Sequence, residues 1–271
     1  MLAAMSYAAF PQGARADFTF VQITDTHIAV NANDPGVEGR YRETIRRVNA
    51  LKPAFVIHTG DALANFSTEN YALLKAISAG LKPKMYMIPG NHDAGNKPGQ
   101  KDIMTGASYD AWAKASGYGY VAFEQEGCLF IGLTSMLFNS GLPQEREQFQ
   151  WFKTQLEKAG KKRVFVFMHH PLFENVPGEP SGYGNIDEPL RSQLFKLFRK
   201  YKVEAVLYGH VHQFSESRFD GIMSIATPSV AFSVVEDKGL TGFRVFTVAP
   251  GGFNTHFVDL RKGGSPPTFG K

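Results

Sequence analysis

The strongest constraint on the fold of this chain is a regular alternation of short apolar runs with helical patterns. Six runs have the length and the β-branched and aromatic content of strands, at 18–23, 54–58, 84–88, 128–135, 163–168 and 204–208. Helical patterns separate them, at 40–51, 69–80, 108–116, 144–159 and 188–201. A helix between two strands provides the crossover that a parallel pair requires, so the alternation predicts an α/β fold.

The end of the chain has a different pattern. Apolar runs at 221–227, 242–248 and 253–260 have no helical segment between them, and turn residues such as Pro250, Gly251 and Gly252 join them. Strands connected by short turns pair antiparallel. We therefore expect an antiparallel tail that extends a second sheet.

Composition limits the classes of function. A hydrophobic fraction of 43% is typical of a globular chain with a core, and no apolar run approaches the roughly 18 residues that a membrane span needs. The net charge of +4 is scattered, with its densest runs at 46–47 and 161–163. Without a basic stripe interleaved with aromatics, nucleic acid is expected only as a diester substrate, and the charge gives a mild attraction for anions.

The N-terminus contains a candidate export signal. Residues 2–16 include an apolar stretch that ends in Ala14-Arg15-Ala16, similar to a signal-peptidase site, but basic residues do not precede it. We favour the remnant of an export signal over an ordinary extension at 1–17, and hence the bacterial periplasm or secretion over the cytoplasm. Residues 18–262 contain no linker and are assigned to one domain, followed by a tail at 263–271.

Polar side chains follow five of the six apolar runs, at the point where each predicted strand ends. They are Asp25 and His27, Asp61, Asn91 to Asp93, His169 and His170, and His210 and His212. The carboxyl ends of parallel strands line one edge of a sheet, where ligands bind. A single His is usually structural, but this ordered set predicts a cluster. Imidazole, carboxylate and amide oxygen without thiolate suit Zn, Fe or Mn, and seven donors suit two ions that share a carboxylate.

The motifs DTH, GD, GNHD, HHP and GHVH stand in the order found in the calcineurin-like metallophosphoesterases, and the chain resembles this family over about residues 18–260. The segment GIMSIATPSVAF after the last motif is most similar to the bacterial cyclic-nucleotide and glycerophosphodiester phosphodiesterases. The resemblance implies a two-sheet αββα sandwich over 18–262, with a dinuclear metal site at the carboxyl ends of the strands.

The resemblance also implies roles for individual residues. It assigns the first metal to Asp25, His27 and His212, the second metal to Asn91, His169 and His210, and the bridging position to Asp61, whose carboxylate has two oxygens to share. His169 is the ligand rather than His170, because the family's ligand lies two residues before the proline. His170 and His58 are expected to support or pack.

His92 is the implied catalytic residue, expected to stabilise or protonate the departing oxygen, while Asp93 orients the loop. Many relatives carry Asp or Asn at the position of Ala64 to support this histidine, and the adjacent Asn65 is a candidate substitute. The protein-phosphatase version has an arginine after that acid, and its absence here argues against a phosphoprotein phosphatase.

Two long glycine-rich loops, 94–107 and 173–187, are candidates for substrate contact. We expect Lys97, Lys101 and Tyr183 to reach the second ester group of a diester, with plain surface loops as the alternative. The chain is thus predicted to be a hydrolase of small phosphate esters that uses a pair of Fe, Mn or Zn ions, most similar to phosphodiesterases. A phosphomonoesterase with the same metal site is the main alternative, and a non-catalytic scaffold is a weaker one.

Overall fold

A computed structural model describes residues 17–234 and 239–262. The candidate export signal within 1–16 and the tail at 263–271 lie outside the described residues. The strands are β1 Phe18–Ile23, β2 Phe55–His58, β3 Lys84–Met87, β4 Val121–Gln125, β5 Cys128–Leu133, β6 Arg163–Met168, β7 Val203–Tyr208, β8 Ser215–Phe219, β9 Ile222–Ala226, β10 Gly242–Ala249 and β11 Gly252–Asp259. The helices are α1 Gly36–Leu51, α2 Thr68–Ser78, α3 Asn91–Ala94, α4 Gly106–Ser116, α5 Pro143–Lys158 and α6 Leu190–Lys200.

The strands form two mixed sheets. The first has the order β11-β10-β1-β2-β3, with β1, β2 and β3 parallel and β10 and β11 antiparallel. The second has the order β4-β5-β6-β7-β9-β8, with four parallel strands between antiparallel edges. The predicted α/β sandwich of two sheets is confirmed.

The core is divided into layers by the alternation of side chains along each strand. In β1, Phe18 and Phe20 face the space between the sheets, whereas Val21 and Ile23 pack in the cluster that includes α1, α2 and α4. In β6, Phe165 faces the same inner space and Val164 packs in the cluster with α5 and α6. Helices therefore cover the outer faces of both sheets.

The tail differs from the expected arrangement. Of the three expected runs, only β9 joins the second sheet, where it pairs parallel with β7, while β10 and β11 extend the first sheet beside β1 as an antiparallel pair. In this register Phe246 of β10 lies opposite Phe20 of β1, and their rings stack with centroids 4.5 Å apart. Burial of this pair between the sheets favours the observed placement.

The parallel strands bring their carboxyl ends together where the sheets meet. Gln22 at the end of β1 donates to Thr59 Oγ1 after β2 and to the Tyr208 carbonyl of β7, both at 3.1 Å. Side chains that follow these strands therefore converge. Among the described residues, no helix has the length and apolar character needed to cross a membrane.

Candidate metal centre

The loops after β1 and β7 bring three donors together, which we call the first group: Asp25, His27 and His212. Asp25 Oδ1 lies 3.2 Å from His212 Nε2, and His27 Nε2 lies 3.3 Å from the same nitrogen. All three residues are buried. They can present their donor atoms to one ion.

The backbone of the first group is held in an unfavourable conformation. The φ angles of Asp25, His27 and His212 are 52°, 44° and 51°, a left-handed region that residues with a Cβ adopt at a cost. Thr24 Oγ1 donates to Asp25 Oδ2 at 2.6 Å, and Ser229 Oγ donates to the Asp25 carbonyl at 2.8 Å. These bonds stabilise a strained turn of the kind that is concentrated at functional sites.

The second group contains Asn91, His169 and His210, from the loops after β3, β6 and β7. His169 Nε2 lies 3.0 Å from Asn91 Oδ1 and 3.2 Å from His210 Nδ1. Gly90 precedes Asn91 without a side chain because a Cβ there would overlap the Asp61 carboxylate. The glycine thus allows the two loops to approach each other.

Asp61 lies between the two groups. Its Oδ2 is 3.3 Å from His169 Nε2 and 3.9 Å from His27 Nε2. Its Oδ1 accepts a hydrogen bond from the His92 backbone at 2.9 Å. Asp61 Oδ2 thus lies within 4 Å of a donor nitrogen of each group, and the bridging role of Asp61 stays a prediction.

Backbone carbonyls orient the imidazoles. His169 Nδ1 donates to Thr59 at 2.9 Å, His212 Nδ1 donates to Phe232 at 3.1 Å, and His210 Nε2 donates to Tyr183 at 3.2 Å. A carbonyl only accepts, so these ring nitrogens carry the proton. The opposite nitrogen of each ring faces the cluster, and once deprotonated it can present its lone pair to a metal ion.

Burial and neighbouring charges shift the pKa values of the clustered side chains in different directions. Burial alone would raise the pKa of Asp25 and Asp61, but His212 and His169 respectively hold these pKa values well below the usual range. Burial would likewise lower the pKa of His169, yet Asp61 raises it to about 9. Burial lowers the pKa of His27 to about 4 and that of His210 to about 3, so these two imidazoles stay neutral.

The donor spacing fits bound cations. Ligand atoms about 2.0–2.2 Å from one ion lie about 3.0–3.5 Å from each other. The nitrogen and oxygen donors described above are separated by 3.0–3.3 Å, which falls in this range. Asp25 Oδ1 is buried and has no hydrogen-bond partner among the described residues. An uncompensated buried carboxylate oxygen is expensive, and a cation would satisfy it.

His92 is positioned by a backbone group that the sequence pattern does not reveal. Its Nδ1 donates to the Ala64 carbonyl at 2.7 Å, so its Nε2 faces Asp61 Oδ2 at 3.9 Å. Asn65, the candidate substitute for the missing acid, instead accepts from the Asn70 amide. The side chain of His92 is 42% exposed, which suits a group that meets substrate.

Asp93 is a buried structural acid. Its carboxylate accepts from the backbone N–H groups of Ala62, Leu63 and Gly90 at 2.8–3.0 Å. Burial, reinforced by Asp61, raises its pKa to about 7. Asp93 therefore ties the loop after β2 to the loop after β3, in the orienting role expected for it.

Two further histidines support the cluster. His58 bonds Thr26 Oγ1 and the Gly60 N–H, at 3.1 and 3.2 Å. His170 Nδ1 bonds Ser135 Oγ at 2.8 Å, and its ring lies 4.2 Å from that of His210. Neither belongs to the donor groups.

Of the three residues expected to contact substrate, only Tyr183 lies at the cluster. Its hydroxyl accepts from Asn91 Nδ2 at 3.2 Å, and its ring is 4.7 Å from that of His210. Lys97 differs from expectation, since its buried ammonium donates to the Gly182 carbonyl, the Asn185 carbonyl and Asp187. It joins the two loops and is unavailable to substrate.

The expected substrate contact of Lys101 stays a prediction. The residue is exposed on the loop that carries Lys97, and no bond from its ammonium to the cluster occurs among the described residues. Only its backbone carbonyl has a partner there, the Asn96 amide.

Phe232 was missed by the sequence interpretation. Its ring lies 4.9 Å from that of His27 and 4.7 Å from that of His212, and its carbonyl orients His212. It is the last residue of the segment GIMSIATPSVAF, which contributed only to the family resemblance. A Phe beyond the last histidine motif carries no signal of its own without the fold.

Comparison with known proteins gives a consistent pattern. The family described as calcineurin-like phosphoesterase matches residues 18–214. The probable glycerophosphodiester phosphodiesterase GpdQ of Arcobacter nitrofigilis is 30% identical over 253 residues, covering 90% of this chain and 89% of that protein. The serine/threonine-protein phosphatase CPPED1 of Danio rerio is 28% identical over 222 residues, covering 76% and 69%.

A solved structure is similar in fold. The purple acid phosphatase PPD1 from yellow lupin (Lupinus luteus) superposes with a TM-score of 0.66 at 16% identity. The match covers 95% of this chain and 54% of that phosphatase, so this chain spans about half of its length.

Proposed function

The chain belongs to the calcineurin-like phosphoesterase family and is a phosphoric ester hydrolase, and from this premise we propose that it hydrolyses phosphodiesters at a dinuclear metal centre. The first group would hold one ion and the second group the other, with Asp61 between the two groups. The observation that carries the proposal is the position of Asp61 Oδ2, at 3.3 Å from His169 and 3.9 Å from His27.

The family fold implies divalent metal ions, which, when bound as a pair, clamp a phosphoryl group and supply a hydroxide nucleophile at neutral pH. The residues of the chain compensate the charge of the ions and orient their ligands. Asp25 and Asp61 offset the charge of the ions, and the carbonyls of Thr59, Tyr183 and Phe232 keep three imidazoles in the orientation that presents a lone pair.

His92 acts on the leaving oxygen. Because its Nδ1 proton is committed to the Ala64 carbonyl, Nε2 can donate only when the ring is an imidazolium. In that form Nε2–H stabilises negative charge on the departing oxygen and transfers its proton to it. The Ala64 carbonyl compensates for the carboxylate or amide that many relatives provide at that position.

Preference for a diester is supported by Tyr183 and by the relative from Arcobacter. Tyr183 is 51% exposed beside the second group, where its hydroxyl and ring can meet an ester group beyond the phosphoryl. A relative named as a glycerophosphodiester phosphodiesterase aligns over 90% of this chain.

Phosphomonoester hydrolysis is the second candidate. It is favoured by the similarity to CPPED1, which is named as a serine/threonine-protein phosphatase. The donor groups suit either reaction, since both need the same ions.

The deciding experiment compares kcat/KM for bis(p-nitrophenyl) phosphate, p-nitrophenyl phosphate and a cyclic nucleotide, with Mn, Fe and Zn in turn. We expect the diester to be hydrolysed more efficiently than the monoester. The reverse order would assign the protein as a phosphomonoesterase. Asp61→Ala serves as the background control for contaminating phosphatases.

A further inference from the structure

Phe232 exposes an aromatic ring directly beside the first group. The residue is 42% exposed, although its ring contacts two buried imidazoles, those of His27 and His212. Ligand sites combine aromatic side chains with a few placed polar groups, and an exposed ring beside clustered donors has this arrangement.

The backbone of Phe232 is fixed on both sides. Its N–H donates to Ser229 Oγ at 3.2 Å, and its carbonyl accepts from His212 Nδ1 at 3.1 Å. Ser229 in turn donates to the Asp25 carbonyl at 2.8 Å. The ring therefore starts from a backbone that is tied to the first group, and little ordering is required when a ligand contacts it.

His212, whose ring contacts that of Phe232, also lines a neighbouring cleft. A cleft of about 220 Å³ lies alongside His212 and is lined in part by Phe214, Pro228 and Leu240. Phe214 is 40% exposed. This side of the centre thus offers apolar and aromatic contacts, whereas the side of the second group offers a tyrosine whose hydroxyl is bonded to Asn91.

We propose that Phe232 determines substrate specificity by stacking on a planar, apolar ester group of the phosphate substrate. The inference rests on the proposed function, because the phosphoryl group must be held at the shared centre for an attached group to reach the ring. Phe214 and Leu240 of the cleft beside His212 add apolar contacts near the ring, and with Phe232 we call them the apolar wall.

Stacking on Phe232 would favour one chemical class of substrate. An aryl or nucleobase-bearing ester has a π-face that stacks on an aromatic side chain. A small polyol ester gains nothing from this wall, so the substrate of this chain would differ from a glycerol ester.

The test uses phosphonates, which bind without being hydrolysed. Dissociation constants for phenylphosphonate and methylphosphonate are measured by calorimetry on manganese-loaded wild type, Phe232→Ala, Phe232→Tyr and Val176→Ala, with the metal content of each preparation. Val176 is 57% exposed on the 173–187 loop and controls for removal of an exposed apolar side chain.

We expect wild type to bind phenylphosphonate more tightly than methylphosphonate, and we express this preference as the ratio of the two affinities. Phe232→Ala should lower this ratio roughly tenfold, or about 1.4 kcal/mol. Phe232→Tyr should keep the ratio, and Val176→Ala should match wild type. An unchanged ratio in Phe232→Ala would overturn the proposal, and so would a loss of metal in that variant, which would make Phe232 a support for His212.

The phosphonates separate this proposal from the diesterase assignment. Both carry one substituent, so a preference for monoesters in the hydrolysis assay would leave the role of Phe232 intact. If wild type bound neither phosphonate in the presence of two ions, the phosphoester site and the role of Phe232 would both be wrong.

Discussion

The first and second groups offer similar donors to their ions but are held in place differently. All three residues of the first group have left-handed backbone, with φ of 52°, 44° and 51°, and their bonds go to segments at the strand ends. In the second group only His210 has positive φ, at 67°. Asn91 and His210 are tied to the 173–187 loop through their contacts with Tyr183, while His169 bonds the Thr59 carbonyl after β2.

The first group is held in a strained backbone conformation, whereas the second group is held by its attachment to a loop. Each residue in a sparsely populated backbone region costs about 1–3 kcal/mol, so the first group exists only because the surrounding sheet ends determine it. The second group depends on a long loop, which Lys97 fastens to the neighbouring loop. Changes to the loop should therefore affect the second ion alone, whereas changes to the shared carboxylate should affect both.

The largest effect is expected from Asp61→Ala, which removes the donor common to both groups. Metal affinity should fall more than roughly 100-fold at both sites, since even residues that only support ligands contribute about 10–100-fold. Hydrolysis should be lost with the ions. Metal content after dialysis measures this, with His212→Ala as the control that chiefly weakens the first ion. Two retained ions and near-normal turnover would contradict the shared role.

His92→Ala should leave both groups intact and change only the chemistry. Alkyl esters, whose alkoxide needs a proton, should slow by about 10²–10⁴-fold. Nitrophenyl esters should slow much less, because nitrophenolate leaves without help. Rates for both ester types and metal content are measured on one preparation. Equal losses on both esters, or a lost ion, would make His92 a ligand or a positioning residue.

The pH dependence of metal binding tests the charge within the second group. His169 has a pKa near 9 in the metal-free protein, because Asp61 outweighs burial, compared with about 6.5 when unfolded. A cation must displace this proton, so affinity should rise by up to about tenfold per pH unit below 9 and then level off. Calorimetry in two buffers counts the released proton. A flat affinity between pH 7 and 9 would contradict the Asp61–His169 pair.

The stability of the metal-free protein should change in the opposite direction. A folded-state pKa raised above the unfolded value stabilises the fold fully below about pH 6.5, and this stabilisation is lost as the pH rises toward 9. Thermal unfolding of metal-free protein across this range measures it.

Lys97→Met tests the loop attachment and should have the smallest effect. We expect roughly tenfold weaker binding of the second ion with the first unchanged, and a free energy of unfolding lower by about 1–3 kcal/mol because buried acceptors lose their partner. Lys101→Met is the matched control, since the same substitution on the same loop removes an exposed ammonium. Two-site metal titrations of both variants provide the measurement. Identical behaviour of the two variants would show that Lys97 does not position the second group.

Much of the fold could be predicted because its central strands are buried on both faces. Continuous apolar runs such as 163–168 coincide with β6 in the structure. The edge strands β4 and β8 were missed, because both are largely half-exposed and neither is apolar along its whole length. The partner of the tail could not be predicted either, because pairing of β10 with β1 depends on how Phe246 stacks on Phe20.

The residues that form the cluster could be predicted more readily than the contacts that hold those residues in place. Motif order at strand ends predicted that Asp25, Asp61 and His169 would meet. It could not reveal that a backbone carbonyl at Ala64 orients His92, since sequence patterns record side chains. Nor could it reveal that the ammonium of Lys97 is buried, because the two loops that enclose it are distant in sequence.

The central claim is that two ions share Asp61, and anomalous diffraction from crystals of manganese-loaded protein tests it most directly. We expect two peaks about 3.5–4 Å apart, one against the first group and one against the second, with Asp61 Oδ2 between them. A single peak, or a second peak bound without Asp61, would contradict it.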